Sequence, residues 1–166
     1  DAADPSKGRG CVFVAVKGEG AHWRTLESHD EHQVRVSETT DPSRAVFCES
    51  VEKAHSNQSH SAQVAERLGI TAEPYRIDSQ CKYAAVARGD ASIYLRLPTR
   101  ADYREKIWDH AAGKYVVEQA GGRVTDITGA PLDFRHGTRL ENNRGVVATD
   151  GRFHDEVVAA ISAAGI

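Results

Sequence analysis

A chain of 166 residues, 40% hydrophobic and 27% charged, is long enough to bury one core and too short for two independent ones. Its formal charge of −3 excludes a protein that holds nucleic-acid polymers through bulk positive charge, so any phosphate partner is expected to be small. No apolar run approaches the roughly 18 residues of a membrane span, and no membrane partner is expected.

Cys11, Cys48 and Cys81 are odd in number and form no CxxC pair, which points away from a disulfide framework or a zinc knuckle and towards a reducing, cytoplasmic compartment. The opening "DAADPSKGRG" has neither a hydrophobic signal region nor an Arg-rich amphipathic pattern, and Met is absent throughout, so processing or truncation is expected.

In chain order, "CVFVAVKGEGAHW" predicts a strand over 11–16, a tight turn over 17–20 and a returning strand near 21–24. "TLESHDEHQ" is a polar stretch in which His29 and His32 offer little support for a metal site. "VRV" is a short strand, "SETTDPSR" a loop, and 45–50 a buried strand. From Ser59, the spacing of Ala62, Val64, Ala65 and Leu68 suits an amphipathic helix that Gly69 stops, and a strand follows over 75–77.

"DSQCKYAAVARGDASIYLRLP" places Ser79 near a helix N-terminus, runs the helix to about Ala87, turns at Gly89 and Asp90, and continues as a strand over 92–95 closed by Pro98. A helix over 109–119 presents Ala112, Val116 and Ala120 on one face, and Gly121 and Gly122 end it. A strand over 123–125, another over 145–148 and a helix over 153–164 complete the chain. This interleaving predicts one α/β domain: a layered mixed sheet flanked by helices.

Asp109 is the residue that most invites a chemical reading. A carboxylate at a helix start caps backbone N–H groups, but beside the small residues Ala111, Ala112 and Gly113 it can also hold a divalent cation while exposed N–H groups face a phosphate. One Asp does not complete a Mg²⁺ site; a second carboxylate, substrate phosphate and water must fill the octahedron. Ser79, Lys82, Arg96 and Lys106 supply hydroxyl and cationic donors suited to phosphate oxygens, although each is equally at home as solvated polar surface. His55 is a polar-loop histidine able to meet a base or a phosphate, and it lies five residues from His60, the wrong step for two ligands on one helical face. Tyr83 and Tyr115 read as core. No dinucleotide, Walker, GxSxG or HExxH motif is present.

"WDHAAGKYVVEQAGGRVTD" resembles the WDxAAG, helix, GG signature of the lithium-sensitive, Mg²⁺-dependent inositol monophosphatase superfamily. "VEKAHSNQSHS", "DSQCKYAAVARGDASIYLRLP" and "YREKIWDHAAG" are similar to its 3′(2′),5′-bisphosphate nucleotidase branch, and the likeness runs from about Cys11 to the end. The resemblance implies the C-terminal domain of the inositol monophosphatase/sugar phosphatase fold. It further implies a phosphatase that removes the 3′-phosphate of adenosine 3′,5′-bisphosphate or its sulfated relative, in connection with sulfate assimilation. Asp109 is then a Mg²⁺ ligand that also meets the substrate, and His55, Ser79, Lys82 and Arg96 bind the substrate. The family's DPIDGT-like run, which supplies the other metal ligands and activates water, is not in this sequence. An N-terminal domain of the same enzyme is therefore an expected partner, no catalytic residue is assigned within this chain, and the chain alone is expected to be inactive. Inositol phosphate hydrolysis and a non-catalytic nucleotide-binding domain are the competing expectations.

Overall fold

The computed structural model describes residues 10–51, 58–98, 100 and 102–166. Alternation in "CVFVAV" sets up β1 (Cys11–Val16), which turns over 17–19 and returns as β2 (Gly20–Thr25) with Val16 opposite Gly20. A third strand, β3 (His32–Val34), joins β2 to make a three-stranded antiparallel sheet. It ends earlier than "VRV" predicts because the Val36 N–H bonds to the Ala120 carbonyl at 3.1 Å rather than to a strand. His32 stacks beside Trp23 with ring centroids 5.2 Å apart.

The second sheet holds β4 (Phe47–Glu49), β5 (Tyr75–Arg76), β6 (Ile93–Arg96), β7 (Arg123–Thr125) and β8 (Val146–Thr149) in the order β5-β4-β6-β8-β7. β4 runs parallel to β5 and β6, and β8 runs antiparallel to β6 and β7, so the sheet is mixed as expected. Period-two alternation buries both faces. Ile93, Leu95 and Val147 pack with Val64 of α1 (Gln58–Arg67) and with Val157 and Ile161 of α4 (His154–Ala163). Tyr94, Val146 and Ala148 pack with Val86 of α2 (Cys81–Arg88) and Val117 of α3 (Ala111–Gln119). Ala21 and Val34 of the small sheet belong to this second cluster, so the layers run α1/α4, large sheet, α2/α3, small sheet. No helix among the described residues is long and apolar enough to cross a membrane.

The third helix begins later than predicted. Residues Ile107–Asp109 form a 3-10 turn, and His110, at φ −131° and ψ −30°, breaks from it before the α-helix starts at Ala111. Its buried face is Gly113, Val117 and Ala120, whereas Ala112 is exposed and Val116 and Tyr115 are half-buried. Gly113 is there for close approach. A Cβ at that position would collide with the ring and Cβ of Tyr83 on α2. Gly122 serves the same purpose further on, since its Cβ would lie 2.5 Å from the Thr149 carbonyl oxygen.

At the start of α4, His154 is 1% exposed and sits between two threonines, with Nε2 2.8 Å from Thr125 Oγ1 and Nδ1 2.9 Å from Thr149 Oγ1. The Thr125 hydroxyl gives its proton to the Asp126 carbonyl, so it accepts from His154 Nε2–H, and Thr149 donates to Nδ1. The ring is therefore neutral, and burial followed by the Arg123 charge holds its pKa down to about 4 from 6.5. The unfolded chain binds the extra proton between these values. Stability is thus full above pH 6.5 and falls by about 3 kcal/mol as pH drops towards 4. Urea denaturation across this range is expected to show the loss in the wild type and a flatter profile in His154→Gln; equal slopes would contradict it.

Candidate functional site

The tight contact at Gly113 lays α2 and α3 side by side with their N-terminal ends together. Gln80 Nε2 ties these ends by donating 2.8 Å to the Trp108 carbonyl. Neither helix has a side-chain cap from its N-cap residue, Gln80 or His110. The first-turn N–H groups of α2 turn back to Ser79 and Gln80, whereas at the start of α3, the positive end of that helix dipole, the exposed Ala111 and Ala112 leave the N–H groups uncovered at this corner of the molecule.

Ser79 stands just before α2 with φ of 59°, the one non-glycine residue at positive φ among those described. That left-handed conformation is costly for serine and is typical of residues held in place for a purpose. Its hydroxyl lies 3.5 Å from the Cys81 N–H, a weak contact that leaves oxygen capacity to spare. Asp78 accepts the Val51 N–H at 3.0 Å, which brings the end of β4 next to Ser79. His55 lies outside the described residues.

Lys82 is not solvated surface: it is 5% exposed, with its ammonium 5.5 Å from the centre of the Tyr94 ring. Burial lowers its pKa, opposed by Cys48 and Asp78 and reinforced by the Arg96 cation. Arg96 ends β6 with its side chain 24% exposed, and its Nε donates 3.2 Å to Glu105 Oε1. Asp109 is exposed on the 3-10 turn. Burial pushes the Tyr94 phenol up, with Arg96 opposing and the carboxylates of Glu105 and Asp109 adding to the shift, and the Lys82 ammonium faces the same ring.

Sequence reasoning passed over the group that joins them. Glu105, 4% exposed, accepts Arg96 through Oε1 and meets His110 Nε2 through Oε2 at 3.1 Å, while His110 Nδ1 lies 2.7 Å from the Tyr83 hydroxyl. Burial pushes the Glu105 pKa up, but the His110 hydrogen bond and the Arg96 charge outweigh it, so the carboxyl is held below its ordinary value and is ionised. An ionised carboxylate only accepts, hence His110 Nε2 carries a proton and the Tyr83 O–H points at Nδ1 when the ring is neutral. The chain Tyr83–His110–Glu105–Arg96 thus links α2, the Asp109 turn and β6 in one buried network. The signal for it lay in "YREKIWDH", where charged residues sit in a segment too apolar and too irregular for a solvated helix. Only the fold shows that Tyr83 and Arg96 complete it.

Among the described residues, no group of three or more His, Cys, Asp or Glu is placed to hold a metal ion. Asp109 fits one ligand of a shared cation site: it is an exposed oxygen donor beside uncovered helix N–H groups that favour an anionic bridging ligand. Of the other two acids in the quoted signature, Glu118 is paired with Lys114, and Asp126 is buried and turned to structure, with Oδ1 accepting from the Thr128 and Ala130 N–H groups.

Residues 3–165 match the Inositol monophosphatase family, and the chain belongs to that family. Within it, the chain is 49% identical over 157 residues to the 3′(2′),5′-bisphosphate nucleotidase of Emericella nidulans, covering 93% of this chain and 45% of that protein. It is 44% identical over 154 residues to the Dictyostelium discoideum 3′(2′),5′-bisphosphate nucleotidase, covering 92% of this chain and 46% of that protein. The chain therefore spans less than half the length of these relatives. In fold it is similar to Mycobacterium tuberculosis SuhB, at a TM-score of 0.67 and 23% identity over 93% of this chain and 55% of that one. It is likewise similar to the inositol monophosphatase of Anabaena, at 0.64 and 24% over 91% and 54%.

Glu105→Gln puts an amide N–H₂ against one of the two donors, Arg96 or His110. The expected cost is about 3 kcal/mol in urea denaturation, since one member of a buried charge network is neutralised while its partners stay. A change within about 0.5 kcal/mol, as for an ordinary surface substitution, would contradict the buried network.

Proposed function

We propose that this chain is the C-terminal part of a Mg²⁺-dependent phosphatase that removes the 3′-phosphate from adenosine 3′,5′-bisphosphate and from its sulfated relative, in the clearance of by-products of sulfate assimilation. The observation that carries the reading is the uncapped N-terminus of α3, tied to the start of α2 by Gln80 and Trp108, together with the pair of cations from α2 and β6, the buried Lys82 and the anchored Arg96. A doubly phosphorylated small molecule needs two such anion-holding features, and a chain of net charge −3 supplies them locally rather than by bulk basicity. The similarity to curated nucleotidases favours this substrate class over inositol phosphates.

In this reading Lys82 and Arg96 hold phosphate oxygens, Ser79 donates or accepts at the α2 N-terminus, and His55 contacts the nucleoside. Glu105 takes no part in the chemistry; it prevents Arg96 from swinging away and so fixes where the guanidinium sits. Asp109 would share a Mg²⁺ with ligands from the rest of the protein, and the bound ion would polarise the phosphoryl oxygens and lower the pKa of the attacking water. The N-terminal domain of the same enzyme would contribute those ligands.

In the full-length protein, Asp109→Asn is expected to cut turnover of adenosine 3′,5′-bisphosphate at least about 100-fold, since even outer partners of metal ligands cost 10–100-fold. The melting temperature should hardly move, because the residue is exposed. Unaltered turnover would remove Asp109 from the metal. Lys82→Met keeps the stem over Tyr94 and deletes the charge. It should raise KM about ten- to hundredfold, the equivalent of the 1.5–3 kcal/mol of a charge-assisted hydrogen bond, with a smaller change in kcat. A wild-type KM would return Lys82 to structure, and faster hydrolysis of inositol phosphates by the wild type would overturn the substrate assignment.

A further inference from the structure

Along the segment that follows β6, Glu105 turns inward to Arg96 and His110, while Arg104 and Lys106 on either side of it are only half-buried and turn the other way. On that outer side they meet Arg139. The Leu140 N–H bonds to the Glu105 carbonyl at 2.9 Å and the Ile107 N–H to the Thr138 carbonyl at 3.2 Å, which holds Lys106 directly opposite Arg139 in an isolated antiparallel bridge. The two bonds flank the pair rather than join it. Lys106 and Arg139 thus occupy a non-hydrogen-bonded position, where opposed side chains share a face and come closest.

Two like charges fixed opposite each other cost stability unless something neutralises them. Among the described residues, the surroundings offer a single exposed carboxylate. A cavity of about 160 Å³ at this point is lined, among the described residues, by Arg100, Asp102, Tyr103, Arg104, Lys106 and Arg139, four cations against one carboxylate. That carboxylate, Asp102, is 80% exposed and lies 3.5 Å from Arg100. The Arg104 guanidinium is anchored by its Nε to the Glu141 carbonyl at 3.3 Å and by Nη1 to the Tyr103 carbonyl at 3.0 Å. Lys106 is steered by Trp108, with its ammonium 5.9 Å from the ring centre. In a chain that is acidic overall, these cations are concentrated by backbone register and not by composition.

We propose that this cavity is a second anion site, separate from the helix ends, that takes one tetrahedral oxyanion, inorganic phosphate or sulfate. Its size fits this class, because it is well below the 300–1,000 Å³ of pockets that bury larger ligands, and guanidinium N–H groups match tetrahedral oxygens in a way that chloride cannot exploit. The site is back to back with Glu105. An anion that draws Lys106 and Arg139 together stiffens the same backbone that aims Glu105 at Arg96.

The test is calorimetric titration of the full-length protein carrying Lys82→Met, which removes the buried cation at the helix ends, with sodium phosphate and with sodium sulfate at ionic strength matched by chloride. Saturable one-to-one binding is expected with both anions, weakened at least tenfold when Arg139→Gln is added. Arg139→Gln alone should melt higher than the wild type in chloride, where the like-charge pair is relieved, and lose the extra gain in melting temperature that phosphate and sulfate confer. No saturable binding beyond chloride, or binding that survives Arg139→Gln, would overturn the proposal. The Lys82→Met effect on KM tests the nucleotidase reading separately, so either can fail without the other.

Discussion

An ionised carboxylate buried at Glu105 is the constraint on which the functional corner depends. Burying that charge is expensive, and only the simultaneous presence of Arg96 and His110 offsets the cost. The three residues come from the end of a strand, a connecting segment and the residue just before a helix, so satisfying the charge fixes three backbone elements relative to one another. Tyr83 extends the bond pattern into α2. What is paid in desolvation is returned as geometry: Arg96 and the Asp109 turn are held where neither would be placed by secondary structure alone.

Helix packing supplies the second half of the arrangement. Because Gly113 lacks a Cβ, Tyr83 can lie against α3, and the N-terminal ends of α2 and α3 come level. The same tyrosine is therefore both a packing element, edge-on to Tyr94 with centroids 5.0 Å apart, and a member of the polar network. Small residues in the signature thus act in two ways. Gly113 and Gly122 permit close approach, whereas Ala111 and Ala112 stay exposed and leave backbone N–H groups uncovered.

The strand and helix sequence was legible because its signals are local: alternation in β1, glycine stops after α1 and α2, and the Gly121-Gly122 break before β7. Two sheets instead of one were not legible, since strand alternation says which face is buried but not which strands pair. The start of α3 was misplaced because Asp109 is a favourable cap by composition, while the actual chain inserts a 3-10 turn and uses His110, a poor cap whose ring is committed to Glu105. Lys82 and Arg96 were identified as phosphate candidates from residue type and from resemblance, but their burial and mutual proximity needed the fold. Glu105 was missed for a physical reason. Its partners lie nine residues before it and five after it, in no regular spacing, and an isolated Glu in a charged stretch reads as solvent-facing.

The account stands or falls on the charge state of that glutamate, and the most direct measurement is the tautomer of the neighbouring histidine, read from long-range ¹H–¹⁵N correlations of the His110 ring at neutral pH. An ionised Glu105 can only accept, so the account predicts a proton on Nε2, protected from exchange, with Nδ1 either accepting from Tyr83 or, in an imidazolium, donating to it. A neutral ring carrying its proton on Nδ1 alone would require a protonated Glu105 that donates to His110. That result would contradict the buried charge and, with it, the anchoring of Arg96.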